Sequence, residues 1–419
     1  MSRRARIAVP IAYGLLLGAA LFFSFYRLDA RPLWGDEAET ATLARNILRS
    51  GVPTTGDGVN EITLLTLLGR DVVASKNGVW TWSPWLQEYV AAGSFAVFGP
   101  TTWAARAPFA LIGWLAVVAT GCLAFRIYRS HAVALAAIAL LSSSEVFLLH
   151  ARQCRYYAII VLAEVVLVFA FHQLLNGRRS GAFALAGALI VQFYSNYIVV
   201  AANVPALLLF AILLYFRQRR CLPALVLALA GFGLAALPWV LYANPAQQSV
   251  FAAGDDFWPR LGYTLREFQF HFLPWAFALL PAAGWMLPRL LGPAAPGRSD
   301  PSWTFEWLLV FLLITGIGVG VVPPGNFLRY MLIVLPVGCL LVSAWTFRYI
   351  RQPAVVTALI AAVCLTNGLA IATTYPWRGE HTLHSPIAKW LRSVHRPYGS
   401  RLDDVVRFLR KEAQPGQTV

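Results

Sequence analysis

The sequence predicts an all-α polytopic membrane protein with about 11 transmembrane helices (10–13) and amphipathic helices in its first outer loop. Of its 419 residues, 58% are apolar and 13% are charged, where a soluble domain has about 45–50% and about 25%. The apolar residues fall in blocks of roughly 18–22 with almost no charge. At about 1.5 Å per residue such a block crosses a hydrocarbon core of roughly 30 Å. A chain in lipid must pair its backbone polar groups within the segment, so the blocks read as helices. Fifteen Trp and fifteen Tyr, many at block ends, suit the two interfaces.

The first block, 7–26, follows a basic start and lacks a small-residue cleavage site, so it reads as a retained helix and not a removed signal. A mixed-charge stretch, 27–102, comes next. Further blocks lie near 103–125, 132–150, 157–175, 182–195, 197–216, 222–242, 270–288, 304–322, 328–347 and 354–374. This divides the chain into a membrane domain, 1–374, and a basic tail, 375–419.

Residues 84–98 decide the topology. The segment is apolar but short, with Gln87 and Glu88 near its start, and it reads as a partly embedded interfacial helix. The loops then on the N-terminal side carry Arg3, Arg4 and Arg6, Arg126 and Arg129, Arg178 and Arg179, Arg217, Arg219 and Arg220, Arg289 and Arg298, and Arg348 and Arg351, with Asp300 their only acid. The positive-inside rule makes that side cytoplasmic, so the N-terminus is expected inside and the C-terminus outside. The 27–102 loop then faces outward with eight carboxylates from Asp29 to Glu88.

The net charge of +15 is placed at helix ends, which suits topology and anionic lipid; no nucleic-acid partner is expected. Cys122, Cys154, Cys221, Cys339 and Cys364 form no CxxC pair, which argues against a disulfide framework or a zinc site. In the tail, 385–391 and 402–409 read as surface helices suited to anionic headgroups or an anionic acceptor.

Candidate chemistry gathers at the outer ends. Leu33-Trp34-Gly35-Asp36-Glu37-Ala38-Glu39 opens an amphipathic helix over 37–49. Asp36 is expected at its N-cap with Glu39 closing a capping box; that role is compatible with presenting a carboxylate to a substrate. Glu145 and Glu164 fall inside spans, where a carboxylate is costly; ion pairs with Arg152 and Arg155 are the plainer expectation, with Glu145 also a candidate for acceptor or metal. Asp255 and Asp256 are candidates for an acceptor or cation, or a solvated loop pair. His271 is a lone interfacial imidazole, and Asn196 a candidate sugar contact at an outer turn.

A first helix, a short turn to Asp-Glu, and an amphipathic helix ending in Asn46-Ile47-Leu48-Arg49-Ser50-Gly51-Val52-Pro53 resemble the polyprenyl- and dolichyl-phosphate-sugar transferases of the C superfamily of glycosyltransferases. That group includes protein O-mannosyltransferases and lipid A aminoarabinose transferases. The segment from Pro84 to Gly99, Ala104-Ala105-Arg106-Ala107-Pro108, His150-Ala151-Arg152-Gln153-Cys154-Arg155-Tyr156-Tyr157, and Arg329-Tyr330 with Leu335-Pro336 follow in the family's order. Two places depart. Tyr156 and Tyr157 stand where many members carry an Asp, and Trp82-Ser83 precedes Pro84 where many carry His or Lys.

The resemblance implies a bacterial inner-membrane enzyme that takes sugar from a polyprenyl-phosphate donor at the periplasmic face, with inversion, and gives it to a glycolipid, polysaccharide or protein acceptor. A sugar phosphate already has a good leaving group, so one carboxylate to receive the acceptor's proton suffices, where glycoside hydrolysis wants two. Asp36 is expected in that role, with Glu37 its nearest substitute. Arg152, Arg155, Arg329 and Tyr330 are expected on the donor phosphate, since guanidinium binds phosphate bidentately; snorkelling to headgroups is the other reading of the arginines. Whether a divalent metal takes part is left open. The alternative is a transporter or flippase of lipid-linked sugars, for which the sequence has neither paired repeats nor broken midplane helices.

Overall fold

The computed structural model describes residues 3–58, 61–62, 75–217, 219–245, 257–281, 302–321, 328–374, 382–396 and 401–412. Among them the chain is almost wholly helical. The elements that position the site are α1 (Arg3–Phe25), α2 (Gly35–Ser50), α3 (Leu86–Phe98), α4 (Thr102–Tyr128), α5 (His131–Ser143), α6 (Glu145–His150), α7 (Tyr157–Leu175), α8 (Ser180–Ser195), α9 (Tyr197–Arg217), α10 (Leu222–Ala243), α11 (Phe257–His271), α12 (Ser302–Val321), α13 (Val334–Tyr349), α14 (Pro353–Leu365), α15 (Gly368–Thr374), α16 (Pro386–His395) and α17 (Arg401–Glu412).

Six described helical stretches are long and apolar enough to cross a membrane: Ile7–Phe25, Thr102–Tyr128, Tyr157–Leu175, Tyr197–Phe216, Arg219–Ala243 and Leu328–Tyr349. Four shorter apolar helices, His131–Ser143, Ser180–Ser195, Phe305–Val321 and Pro353–Leu365, accompany them. Each of these ten matches one of the eleven blocks. The eleventh, 270–288, lies in part outside the described residues. Its described part closes α11 at His271 and continues as a 3-10 turn over Trp275–Leu279.

Two expected spans are broken, each for a local reason. Ser144 takes ψ 120, which ends α5, and its hydroxyl accepts from Phe147 N–H to start α6. Thr366 is extended at ψ 151 and ends α14, and Asn367 follows before α15. The first break places Glu145 in the opening turn of α6, where free N–H groups favour a negative charge.

The described part of the 27–102 loop is built as a platform. α2 buries Thr40, Ala41, Leu43, Ala44 and Ile47 on one stripe and ends at Gly51, whose φ of 78 lets its N–H reach Ile47 O. α3, at 13 residues, is about 20 Å long, too short to cross, and packs on α2 and α4. Asn77 and Gly78 both take positive φ (54 and 72) and close a two-residue hairpin between Ser75–Lys76 and Val79–Trp80. This is the Asn-Gly turn that such hairpins favour.

One apolar cluster, including Ala44, Phe95, Phe109, Phe147, Tyr157 and Leu335, lies beneath this platform. A second, including Phe171, Phe210, Leu308 and Leu341, fills the other part of the bundle. The segment Leu328–Tyr349 is buried on nearly all sides, so Arg329 and Tyr330 at its start are held against the platform by the centre of the bundle.

Candidate active site

The site begins with the entry to α2. Trp34, not Asp36, is the N-cap residue, which corrects the expected cap. Glu37, not Glu39, reaches back and accepts from Trp34 N–H at 3.4 Å. Asp36 is therefore released from capping. Its side chain is 30% exposed, with Oδ2 3.3 Å from Arg329 Nη2. Arg329 also lies over the rings of Trp34 (5.2 Å) and Tyr330 (5.9 Å).

Glu37 is wholly buried. It accepts from Arg106 Nε at 2.8 Å and Nη2 at 2.6 Å, and from Cys154 N–H at 2.8 Å. Arg106 also donates to the carbonyls of Leu28, Arg31 and Pro32. Both oxygens of Glu37, the expected nearest substitute for Asp36, are thereby engaged within the protein. Glu37 is the post that ties α2 to α4 and to the 151–156 turn.

The two arginines of that turn separate. Arg155 donates from Nη1 to Glu39 Oε1 at 2.7 Å, Thr40 Oγ1 at 2.9 Å and Asp36 O at 3.2 Å. Burial alone would lower its pKa, but Glu39 and Asp36 hold it above its ordinary value. Arg152 instead donates to Phe23 O and Tyr26 O at the end of α1 and lies 5.4 Å from the Trp390 ring. Burial, with Arg106 nearby, pushes it down to about 10. Arg152 thus faces the end of α1, away from Asp36 and Arg329.

Behind the site, Gln87 accepts from Tyr156 N–H at 2.8 Å and donates to Glu88 Oε1 at 2.9 Å. Burial lifts Glu88 to about 7, against the Gln87 hydrogen bond and the Arg155 charge. His150 Nδ1 donates to Gln153 Oε1 at 3.1 Å, and burial pushes it down to about 4. Burial likewise raises the Tyr156 phenol well above its usual range; Tyr157 and Tyr330 add to this and the cations Arg155 and Arg329 oppose it. Asp36, Arg155, Arg329 and three tyrosines therefore form one cluster.

The remaining candidates lie elsewhere. Glu145 pairs with Lys389 at 3.1 Å and His384 at 3.8 Å, not with Arg152 or Arg155 as expected. It borders a small cleft also lined by Gln269, His271 and His384. Glu164 accepts from Gln192 (2.8 Å) and Asn203, again not from the arginines. His271 pairs with Glu267 at 3.3 Å. Asn196 Oδ1 is used to accept from Ile198 N–H. Asp255 and Asp256 lie outside the described residues. Among the described residues no three His, Cys, Asp or Glu side chains gather at ligand spacing.

Sequence reasoning missed Trp34, Gln87 and the tail's Trp390. Trp390 carried one signal: it lies mid-helix in a strongly amphipathic, basic segment. It is 1% exposed and packs on Phe23 at 5.5 Å and Tyr26 at 6.5 Å. Both stretches expected as surface helices are helical, and α16 straps across the same end of the bundle as the 27–102 loop.

Among solved structures, the chain is similar to ArnT from Cupriavidus metallidurans bound to undecaprenyl phosphate, with a TM-score of 0.57 and 19% identity over 91% of this chain and 68% of that one. It is similar also to the same protein in the apo state, with a TM-score of 0.59 and 18% identity over 91% and 67%. The fold is that of ArnT. No family model and no curated sequence matches the chain. The ArnT fold agrees with the all-α membrane architecture.

Proposed function

We propose that the chain is a bacterial inner-membrane glycosyltransferase that moves a sugar from a polyprenyl-phosphate donor to a hydroxyl of an envelope acceptor at the periplasmic face. The observation that carries this reading is the half-open Asp36–Arg329 pair (3.3 Å) beside Arg155, within a fold shared with a protein that binds undecaprenyl phosphate. Asp36 accepts the proton of the attacking hydroxyl. Arg329 lies alongside the donor phosphate and balances its charge as the anomeric C–O bond breaks; Arg155 adds to the field from behind. The hydroxyl oxygen attacks the face opposite the phosphate, so the anomeric centre inverts, and polyprenyl phosphate leaves without needing a general acid.

The cleft beside Glu145 is the acceptor side in this reading, with Glu145, His384 and Lys389 offering acceptors and donors to a glycolipid, polysaccharide or protein. The N-terminus is cytoplasmic and the tail periplasmic. Purified protein given a synthetic polyprenyl-phosphate sugar tests the reading. A transferase yields free polyprenyl phosphate and a new glycoside; a transporter leaves the donor intact, and intact donor after exhaustive incubation with envelope glycolipids would refute it.

A further inference from the structure

Helix α17 carries an apolar face that the described residues leave open. Val405 and Phe408 are 49% and 63% exposed. With Leu409 they fall at i, i+3 and i+4, on one side of the helix. Asp404, Arg407, Arg410 and Lys411 fall on the other side. Arg407 and Asp404 pair at 2.6 Å with both side chains well exposed. A helix so divided, with basic residues on its polar side, suits the boundary between water and hydrocarbon.

The strap before it limits where α17 can lie. At the end of α16, His395 Nδ1 accepts from Arg27 Nη1 at 2.8 Å and its Nε2 donates to Tyr26 Oη at 2.9 Å. Tyr26 and Arg27 directly follow the span Ile7–Phe25. Only residues 396–400 separate α16 from α17, at most about 20 Å of extended chain. So α17 begins close to the end of a membrane crossing. The chain over 375–419 holds eight Arg and Lys against four Asp and Glu, and an anionic lipid surface attracts such a segment. A second copy could also cover the apolar face, but it brings the same positive charge.

We propose that α17 lies in the headgroup layer of the membrane at this end of α1. Val405, Phe408 and Leu409 enter the acyl boundary, and Arg407, Arg410 and Lys411 meet the phosphates of anionic phospholipids. The tail is then pinned twice, by Trp390 on the protein and by α17 on the lipid. This stands independently of the transferase reading.

The test places a nitroxide at position 408 of the full-length protein (Phe408→Cys), with unsubstituted protein carried through the same labelling as background. The exposed side chain at 408 makes the substitution harmless to the fold. The labelled protein is placed in nanodiscs of phosphatidylcholine alone or with phosphatidylglycerol. Accessibility to oxygen, which partitions into lipid, is compared with accessibility to a water-soluble nickel chelate. The expected result is oxygen favoured over the chelate in phosphatidylglycerol discs, with the preference reduced in phosphatidylcholine alone. A nitroxide open to the chelate in both discs places α17 in water and overturns the proposal. One shielded from both reagents marks a protein contact, a second copy included, and overturns it as well. Equal immersion in the two lipids overturns the part played by the basic residues.

Discussion

Arg106 and Glu37, 69 residues apart in sequence, close a buried two-pronged ion pair, and the same guanidinium donates to the carbonyls of Leu28, Arg31 and Pro32. Asp36 is thereby delivered to the surface, because its neighbour is fixed beneath. Removing one member of a buried pair costs about 3–5 kcal/mol, since the other is left charged and unpaired. Arg106→Ala is expected to lower the melting temperature sharply. Arg106→Lys is expected to recover little, as an ammonium has three donors and cannot copy the fork. Thermal unfolding in detergent checks this; a wild-type Arg106→Ala would show that the post does not hold α2.

Glu88 and His150 give the protein opposing pH dependences. Glu88 titrates at about 7 in the folded protein, above its unfolded value. Between about 4.5 and 7 the folded state holds the proton and the unfolded state does not, so this term makes stability fall as pH rises. His150 titrates at about 4 when folded, below its unfolded value near 6.5. Its contribution is full above about 6.5 and is lost as pH falls toward 4. Wild type is therefore expected to be nearly flat over this range. Glu88→Gln should show stability falling at acid pH, and His150→Asn stability falling toward neutrality. Melting temperatures from pH 4.5 to 8 decide it; parallel profiles for both variants would contradict these assignments.

The tail is held by Trp390 more than by its charges. Lys389 is 41% exposed against Glu145, and exposed pairs contribute about 0–1 kcal/mol. Burial of Trp390 against Phe23, Tyr26 and Arg152 is the larger effect, with Trp→Ala in a core costing about 3–5 kcal/mol. Limited trypsinolysis is expected to release the tail quickly in Trp390→Ala and at near wild-type rate in Lys389→Ala. The reverse order would show that the strap is electrostatic.

Glu164 is seven positions into α7 from Tyr157, about 10 Å along the axis, and is satisfied by Gln192 and Asn203. It joins α7, α8 and α9. Glu164→Gln is expected to preserve both stability and turnover. Glu164→Ala is expected to lose about 1–3 kcal/mol per stranded amide without changing donor affinity at permissive temperature. Lost undecaprenyl phosphate binding in folded Glu164→Gln would make the residue functional.

Much of this was legible in the sequence. Uncharged blocks report spans because lipid leaves the backbone no other solution, and 84–98 was readable as interfacial because so short a segment, a 13-residue helix in the structure, cannot cross. The platform helix was readable from the spacing of Ala41, Ala44 and Leu48 and from the Asp-Glu that opens it. Which of three neighbouring carboxylates caps, which is buried and which faces out was not. That choice rests on Arg106 and Cys154 arriving from other helices, and no local pattern records them. Arg152 and Arg155 looked equivalent for the same reason. Their difference lies in α1 and Trp390 on one side and Glu39 on the other. The hairpin was not read from the sequence, although Asn77-Gly78 is the turn such hairpins favour.

The most direct measurement is Asp36→Asn, read as release of polyprenyl phosphate from a polyprenyl-phosphate sugar by detergent-purified protein, with the melting temperature measured alongside. Asp36 makes no cap and its side chain is half-open, so the fold should be unchanged. Turnover should fall by at least about 100-fold, the lower end of what a positioned base contributes. A variant that releases lipid phosphate at the wild-type rate would remove Asp36 from the chemistry and take the proposed mechanism with it.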